Sequence, residues 1–277
     1  MQTSAIDRIC AMLDKIKLDA IANEIEEAGH FAYRMQKSVH RSFKKDGSVL
    51  TEADTTISHS IIERIHSLFP EAAVISEEEE TGNNMDAEWI FILDPIDGTD
   101  VYSQGMPSFA VSLGVLDKNR NPVAAYIAAP RFGTGEESLF IRLDPDGKPT
   151  VNGEELTLHG DKDDVREIMM GSKGAHDMDF SRFDGKIRVL GSTILHILSP
   201  ALFPSVEGVV VQKCFVWDII SSHAILKSLG MDLEDENGNL FKYSNEFIFS
   251  KRMLSSILYG GTEKGRAYLR ATLPPLR

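Results

Sequence analysis

The stretch FILDPIDGTD, Phe91–Asp100, holds the side chains most suited to chemistry, because three of its ten residues are aspartates. Two of them, Asp94 and Asp97, would repel each other unless a cation lay between them. The apolar run Trp89–Leu93 predicts a buried strand, and open α/β sheets bind ligands at the ends of such strands. The stretch therefore predicts a cation site, and an acidic turn that caps a helix is the equally weighted alternative.

Two further acidic segments follow apolar runs in the same way. Glu77 and Glu78 come directly after the predicted strand AAVIS, and Asp218 follows CFVW at the predicted start of a helix. Carboxylate oxygens are the ligands that Mg²⁺ prefers, so the three segments together predict one shared magnesium site. A helix N-cap is the alternative for Asp218. For Glu79 and Glu80 we favour a solvated charged turn.

Two segments could bind an anion through backbone N–H groups. Gly98 and Thr99 lie at a predicted helix start, where such groups attract phosphate, and the Thr99 hydroxyl could orient a water molecule. Gly191–Thr193, within LGST, precedes the predicted helix ILHIL and forms a second candidate. Simple capping by the hydroxyl side chains is the alternative for that second segment.

Helices and strands predicted along the chain would position these segments. Apolar residues at helical spacing predict one long helix or two shorter ones over residues 5–37, and another helix opens at Thr51 and ends at Pro70. FKKDGSVLTEAD predicts a loop or hairpin between them. Strands and helices alternate in the second half, so we expect a layered α/β or α+β protein. The turn-rich loop DPDGKPTVNGEE suggests two sub-domains, residues 1–150 and 151–277.

Composition and motifs exclude several classes of protein. A formal net charge of −13 argues against a nucleic-acid polymer or an anionic membrane as partner. We expect no signal peptide and no membrane span, and two cysteines without framework spacing favour the cytoplasm. The sequence contains no P-loop, cysteine-phosphatase or HExxH motif. We interpret Cys214 as a buried thiol, and His196 and His223 as helix-face residues rather than ligands.

Three blocks, in this order, resemble the inositol monophosphatase superfamily of metal-dependent, lithium-sensitive phosphatases. They are Glu77-Glu78, DPIDGT at Asp94–Thr99, and Trp217-Asp218. DGSVLTEAD is also similar to the family, with Asp54 at the aspartate of its T-x-x-D motif. The resemblance covers roughly residues 20–270, and the first ~18 residues look like an added helix.

The resemblance implies a five-layered αβαβα sandwich, a homodimer, and Mg²⁺-dependent cleavage of a small phosphate monoester. By position, Glu77, Asp94 and the Ile96 carbonyl would hold one ion. Asp94, Asp97 and Asp218 would hold a second ion, and a third, weaker ion would touch Glu77. The family pattern thus implies two or three bound Mg²⁺ ions.

The resemblance also implies roles around the substrate. The amides of Gly98 and Thr99 would grip the phosphate. Thr99, paired with Asp54 and helped by Glu77, would position the attacking water. The remaining implied substrate contacts are Gly191, Ser192, Thr193 and Asp218.

Departures from the family pattern bear on the substrate. Asp100-Val101-Tyr102 replaces the usual Asn-Phe, Val211 stands where inositol phosphatases carry a ring-binding glutamate, and the helix after Asp218 reads IISSHAI. The missing acceptor, with added charge from Lys213 and Lys44-Lys45, predicts a bisphosphorylated substrate. A bisphosphate nucleotide is the main alternative to an inositol phosphate, and a sugar phosphate is the next. From another functional class, a catalytically weak phospho-ligand-binding or scaffold protein is the alternative.

Overall fold

A computed structural model describes residues 5–82, 84–132 and 138–276, with only the backbone for residues 5–13. The α-helices are α1 (Ala5–Met35), α2 (Glu52–Leu68), α3 (Thr99–Ser103), α4 (Thr193–Leu202), α5 (Ile220–Ser228), α6 (Asn245–Phe249) and α7 (Glu263–Thr272). The strands are β1 (Ser42–Phe43), β2 (Val49–Leu50), β3 (Ala73–Ser76), β4 (Ile90–Asp97), β5 (Ala110–Leu116), β6 (Pro122–Ala129), β7 (Leu139–Leu143), β8 (Thr150–Val151), β9 (Glu154–Glu155), β10 (Glu167–Met170), β11 (Lys186–Arg188), β12 (Gly208–Val211), β13 (Asp232–Asp235) and β14 (Leu258–Gly261). Among the helices described, none combines the length and apolarity that crossing a membrane requires.

Two large sheets and one small hairpin contain these strands. The first sheet has the order β3-β4-β5-β6-β7-β8-β9, the second has the order β11-β10-β12-β14-β13, and β1 pairs with β2 alone. Side chains alternate between the two faces of a strand. Phe91 and Leu93 of β4 accordingly share a core with α1 and α2, whereas Ile90 and Ile92 face Ile220 of α5.

The second sheet alternates in the same way. Val209 and Val211 of β12 join the core that contains α4 and α5, and Val210 packs with Leu269 of α7 on the opposite face. The layers therefore run α1 with α2, first sheet, α4 with α5, second sheet, α7. This order confirms the predicted αβαβα sandwich.

The first two helices form largely as their sequences predict. α1 is one continuous helix whose buried residues Ile21, Ile25 and Ala32 recur at helical spacing. The expected added helix is, from Ala5 onwards, the first part of α1; residues 1–4 lie outside the described residues. α2 begins after the N-cap Thr51, whose side chain and backbone exchange hydrogen bonds with the third residue of the helix in a capping box.

The loops on either side of the first sheet carry more structure than a simple connection. FKKDGSVLTEAD forms the predicted hairpin, in which Phe43 pairs with Val49. DPDGKPTVNGEE holds a second hairpin, because β8 pairs with β9 and extends the first sheet to Glu155. The second sheet starts at Glu167. The division into two sub-domains stays a prediction, and a boundary at residue 150 would cut the first sheet.

Candidate active site

Parallel pairing of two strands brings the first acidic segments together. β3 and β4 are parallel neighbours, with Ser76 opposite Leu93. The Glu77 N–H continues this ladder by donating to the Leu93 carbonyl at 3.3 Å. Glu77, directly after β3, and Asp94, within β4, therefore lie side by side.

A bulge in β4 places Asp94 and Asp97 on the same face of the sheet. In a regular strand, residues three apart point to opposite faces. Asp94 pairs with Ser112, and Asp97 pairs with Ala110, so three steps along β4 match two steps along β5. One extra residue of this kind re-aims the side chains that follow it. The bulge contains Pro95, which such irregular positions tolerate.

Close packing of α5 on the sheet brings in the third acidic segment. A Cβ on Gly114 would lie 2.6 Å from Ile220, so only glycine lets the helix approach this closely. The hydroxyls of Ser112 and Ser221 lie 2.6 Å apart across the same contact. Asp218 precedes this helix in a tight turn and accepts the Phe215 N–H at 2.6 Å.

The surroundings of Asp218 differ from the expectation. The segment CFVW is not a strand, and the N-cap of α5 is Ile219, not Asp218. The segment CFVW is apolar because it forms a buried turn, in which Cys214, Val216 and Trp217 are all buried. Turn and strand have the same apolar signature over so short a run.

Three carboxylates converge at this point. Oxygens of Asp94, Asp97 and Asp218 all lie within 4.8 Å of one another. The Oδ1 atom of Asp94 is buried and has no hydrogen-bond partner in the described part of the chain. A buried acceptor without a partner is rare and costly. All-oxygen donors around such an atom fit Mg²⁺, which is hard and prefers carboxylates.

Burial and mutual repulsion make these groups hold protons more tightly. Burial, then the charges of Glu77 and Asp97, raise the pKa of Asp94 well above its ordinary value. Burial and repulsion by Asp97 do the same to the pKa of Asp218. Burial raises the pKa of Asp97 to about 6, although hydrogen bonds from Ser192, Ile194 and Thr193 oppose the shift. A bound cation would offset the burial and the mutual repulsion that raise these pKa values.

These shifts predict how pH alters stabilisation by Mg²⁺. Unfolded aspartates titrate near pH ~4, so between about 4 and 6 the metal-free folded state keeps protons that the unfolded chain has lost. The cluster's contribution to the free energy of unfolding therefore falls as pH rises through that window. Mg²⁺ binds only the ionised form, so its stabilising effect should grow with pH. We expect the rise in melting temperature caused by MgCl₂ to be larger at pH ~7.5 than at pH ~5; equal rises would place the ion elsewhere.

Thr99, at the start of α3, has two acceptors for its one hydroxyl proton. Its Oγ1 lies 2.8 Å from the Ile96 carbonyl and 3.3 Å from Asp54 Oδ1. The other carboxylate oxygen of Asp54 is fixed by the Thr51 N–H at 2.9 Å and by the Thr51 hydroxyl. Burial raises the pKa of Asp54 to about 6, and the hydrogen bonds from Thr51 oppose this shift. The structure thus brings Thr99, Asp54 and Ile96 together.

The two segments predicted to bind an anion, at Gly98-Thr99 and at Gly191–Thr193, have different surroundings in the structure. Gly98 has a φ of 83°, and its backbone passes close to the Ser108 and Gly191 carbonyls, so a Cβ there would be strained. The first N–H groups of α4 instead donate to a protein carboxylate: Thr193 and Ile194 both bind Asp97. The anion at the start of α4 is Asp97 itself, not a free site for phosphate as the sequence suggested.

Lys44 is a residue whose contacts the sequence did not predict. Its Nζ lies 2.7 Å from Glu77 Oε1 and 2.5 Å from Glu78 Oε1. Burial opposes the charged form of Lys44, but the two glutamates outweigh it and raise its pKa. Burial and repulsion by Glu77 raise the pKa of Glu78 to about 7 despite the lysine. The sequence predicts that the charge of Lys44 serves the substrate, but in the structure Lys44 pairs with the two glutamates. Only the fold of the hairpin reveals this contact.

Several other candidates lie outside the cluster. Asp100, the third aspartate of FILDPIDGTD, has a side chain that is 69% exposed and pairs with Arg41 at 3.3 Å. Lys213 pairs with Asp177 at 2.5 Å, and both side chains are exposed, so part of its charge is offset locally. Glu80 has a side chain that is 92% exposed, as expected for a solvated turn.

The buried thiol and the two histidines also have structural places. Cys214 is buried and unpaired with another cysteine among the described residues. His196 is buried on α4, where its Nε2 accepts the Leu190 N–H at 2.7 Å, and burial lowers its pKa to about 4. His223 lies on α5 between Tyr243 and Asp232. Both histidines lie on helices, as the sequence predicts, and neither belongs to the carboxylate cluster among the residues described.

This fold and this arrangement of carboxylates define a class of protein that the comparisons identify. The chain belongs to the inositol monophosphatase family, whose family model matches residues 14–264. The resemblance noted from Glu77-Glu78, DPIDGT and Trp217-Asp218 is thereby confirmed.

Relatives and solved structures show how far the similarity extends. A fructose-1,6-bisphosphatase/inositol-1-monophosphatase of Thermotoga maritima is 26% identical over 249 residues, which are 86% of this chain and 92% of that protein. A 3′(2′),5′-bisphosphate nucleotidase CysQ of Haemophilus influenzae is 34% identical over 110 residues, 38% of this chain and 40% of that protein. The crystal structure of the extragenic suppressor protein suhB of Bartonella henselae has the same fold, with a TM-score of 0.74 and 19% identity over 92% of this chain and 97% of that chain.

Proposed function

We propose that this protein is a Mg²⁺-dependent phosphomonoesterase that hydrolyses a small phosphorylated metabolite. The observation that carries this proposal is the convergence of Asp94, Asp97 and Asp218 around a buried carboxylate oxygen that lacks a protein partner. Family membership supports the reaction class. The homodimer implied by the resemblance and the cytoplasmic localisation stay predictions.

The carboxylates of Glu77, Asp94, Asp97 and Asp218 and the Ile96 carbonyl would hold two or three ions. Bound Mg²⁺ would supply Lewis-acid stabilisation of the charge on the phosphoryl oxygens. The amides of Gly98 and Thr99, at the start of α3, would bind the phosphate itself. Substrate contacts by Gly191 and by the Thr193 side chain stay predictions from the resemblance, since the Thr193 N–H already donates to Asp97.

Thr99 and Asp54 would act on the attacking water. A Thr99 hydroxyl that donates its single proton to Asp54 keeps its oxygen free to accept a proton from water. Oδ2 of Asp54 is held by Thr51, so Oδ1 is the oxygen available to Thr99. A carboxyl with a pKa of about 6 can exchange a proton near neutral pH.

The activity itself provides the first test. Phosphate release from a panel of inositol phosphates, adenosine 3′,5′-bisphosphate, fructose bisphosphate and histidinol phosphate should vanish after exhaustive chelation and return when Mg²⁺ is added. A thermal melt of the chelated protein checks that it stays folded. Release that survives chelation would contradict the proposal. Mg²⁺ binding and phosphate-ester binding without turnover would instead support the phospho-ligand-binding or scaffold alternative.

The substrate preference is a separate prediction. Val211 is only 3% exposed, and its side chain has no hydrogen-bond acceptor. An inositol hydroxyl bound next to it would therefore lack the hydrogen bond that a glutamate at this position would accept. The two relatives compared by sequence, a fructose-1,6-bisphosphatase/inositol-1-monophosphatase and a bisphosphate nucleotidase, both act by name on bisphosphates, and the first acts by name on inositol 1-phosphate as well. We expect a higher kcat/KM for a bisphosphorylated substrate than for inositol 1-phosphate, measured at equal Mg²⁺ and ionic strength.

Lys213 provides the matched control for that comparison. Its charge is offset by Asp177, so Lys213→Ala should leave the ratio of the two kcat/KM values unchanged, not narrow it as the sequence alone suggested. A clear preference for inositol 1-phosphate would mean that residues other than Val211 recognise the ring.

A further inference from the structure

The start of α4 holds the Asp97 carboxylate by three hydrogen bonds. Oδ2 accepts from the Ser192 hydroxyl and from the Ile194 N–H, the latter at 2.8 Å. Oδ1 accepts from the Thr193 N–H at 3.2 Å. These contacts join residues about a hundred positions apart, across the interface between β4 and the middle helical layer.

The two oxygens of Asp97 are consequently not equivalent. Each carboxylate oxygen has two lone-pair directions. Both directions of Oδ2 are taken by the Ser192 hydroxyl and the Ile194 N–H, whereas Oδ1 accepts one bond from the residues described and keeps its other direction free of them. Asp97 can therefore offer a cation one oxygen only.

Ser192 is placed to maintain this arrangement and not to contact substrate through its side chain. It has no exposed surface. Its only proton goes to Asp97, and its oxygen accepts the Leu195 N–H at 3.1 Å as the N-cap of α4. The hydroxyl is thus committed to the protein on both sides.

We propose that Ser192 is a positioning residue that restricts Asp97 to single-oxygen coordination and thereby favours Mg²⁺ over Ca²⁺. This inference rests on the proposed metal site. Mg²⁺ demands near-ideal octahedral geometry, whereas Ca²⁺ accepts carboxylates through one oxygen or both. Loss of the Ser192 hydroxyl would leave Oδ2 with the Ile194 N–H alone and free one of its lone-pair directions for a second bond to the ion. Two-oxygen coordination of that kind suits Ca²⁺ better.

Calorimetric titration of the metal-free full chain with MgCl₂ and CaCl₂ tests this role without measuring turnover. Ser192→Ala should raise the Kd for Mg²⁺ by at least about tenfold, the usual effect of losing a partner of a metal ligand. The Kd for Ca²⁺ should change by less than about twofold. Ser192→Gly repeats the test with a residue that an N-cap tolerates well, and it decides the question if the alanine variant does not fold.

Ser199→Ala is the matched control, because Ser199 is also a buried serine of α4, but its hydroxyl bonds only the Leu195 carbonyl among the residues described. It should leave both Kd values unchanged. The positioning role would be overturned if the Ser192 variants bound Mg²⁺ as tightly as Ser199→Ala does. It would also be overturned if their Kd values for Mg²⁺ and Ca²⁺ rose by the same factor. Asp94→Asn separates the two proposals: wild-type Mg²⁺ binding there would overturn the metal site as well, whereas loss in Asp94→Asn alone would overturn only the role of Ser192.

Discussion

Asp94→Asn is expected to lower kcat/KM by about 10³-fold or more, equivalent to ~4 kcal/mol of transition-state stabilisation, while making the metal-free protein more stable. The activity should fall because Asp94 is assigned to two ions, and its Oδ1 has no partner in the described protein to replace them. The stability should rise because ionised Asp94 is opposed by burial and by Glu77 and Asp97. Asparagine has the same shape and carries no charge. Steady-state kinetics and a thermal melt in chelator measure the two effects.

This prediction is demanding because the activity and the stability of the metal-free protein are expected to change in opposite directions. At neutral pH the melting temperature of Asp94→Asn in chelator should exceed that of wild type by a few degrees, and added Mg²⁺ should raise it less than it raises wild type. Asp100→Asn is the matched control, since Asp100 lies in the same motif but its side chain is 69% exposed and pairs with Arg41. It should retain wild-type activity. Near-wild-type turnover of Asp94→Asn would refute the shared-ligand assignment.

The sequence predicted the elements of this fold because most of them are strongly periodic. α1 and α2 bury isoleucines at helical spacing, and the capping box at Thr51 and Asp54 marks the start of α2. Local rules of this kind operate within a few residues. They could not distinguish the buried turn before Asp218 from a strand, because both are short and apolar.

Contacts between segments far apart in the chain could not be predicted from the sequence. The bulge that aligns Asp94 with Asp97 depends on pairing with β5, which reading β4 alone does not contain. The bond from Ser192 to Asp97 and the ion pairs of Lys44 with Glu77 and Glu78 likewise form only after the layers assemble. Residue types predicted the acidic site, and tertiary packing decides which atoms of those residues remain available.

Thr99→Ala and Asp54→Asn are each expected to lower kcat by about 10²-fold, and the double variant should be little worse than either. The reason is that the Thr99 hydroxyl has one proton, and its transfer toward Asp54 Oδ1 is the step that both residues share. Without the threonine, Asp54 has no link to the water. Without the carboxylate, the hydroxyl proton is left with the Ile96 carbonyl at 2.8 Å, which cannot take it up.

The double-mutant cycle has to separate this coupling from the capping of α2. Asp54 also accepts the Thr51 N–H, which favours the carboxylate, whereas burial opposes it and raises its pKa. Asp54→Asn alters both contributions to stability, so all four proteins must be assayed well below their melting temperatures. Glu52→Gln is the control, because Glu52 is the other acidic residue in the first turn of α2 and its side chain is exposed to solvent. This substitution should leave kcat unchanged. If the losses of the two single variants multiply to about 10⁴-fold in the double variant, Thr99 and Asp54 act independently, because only a shared proton makes the second substitution nearly silent.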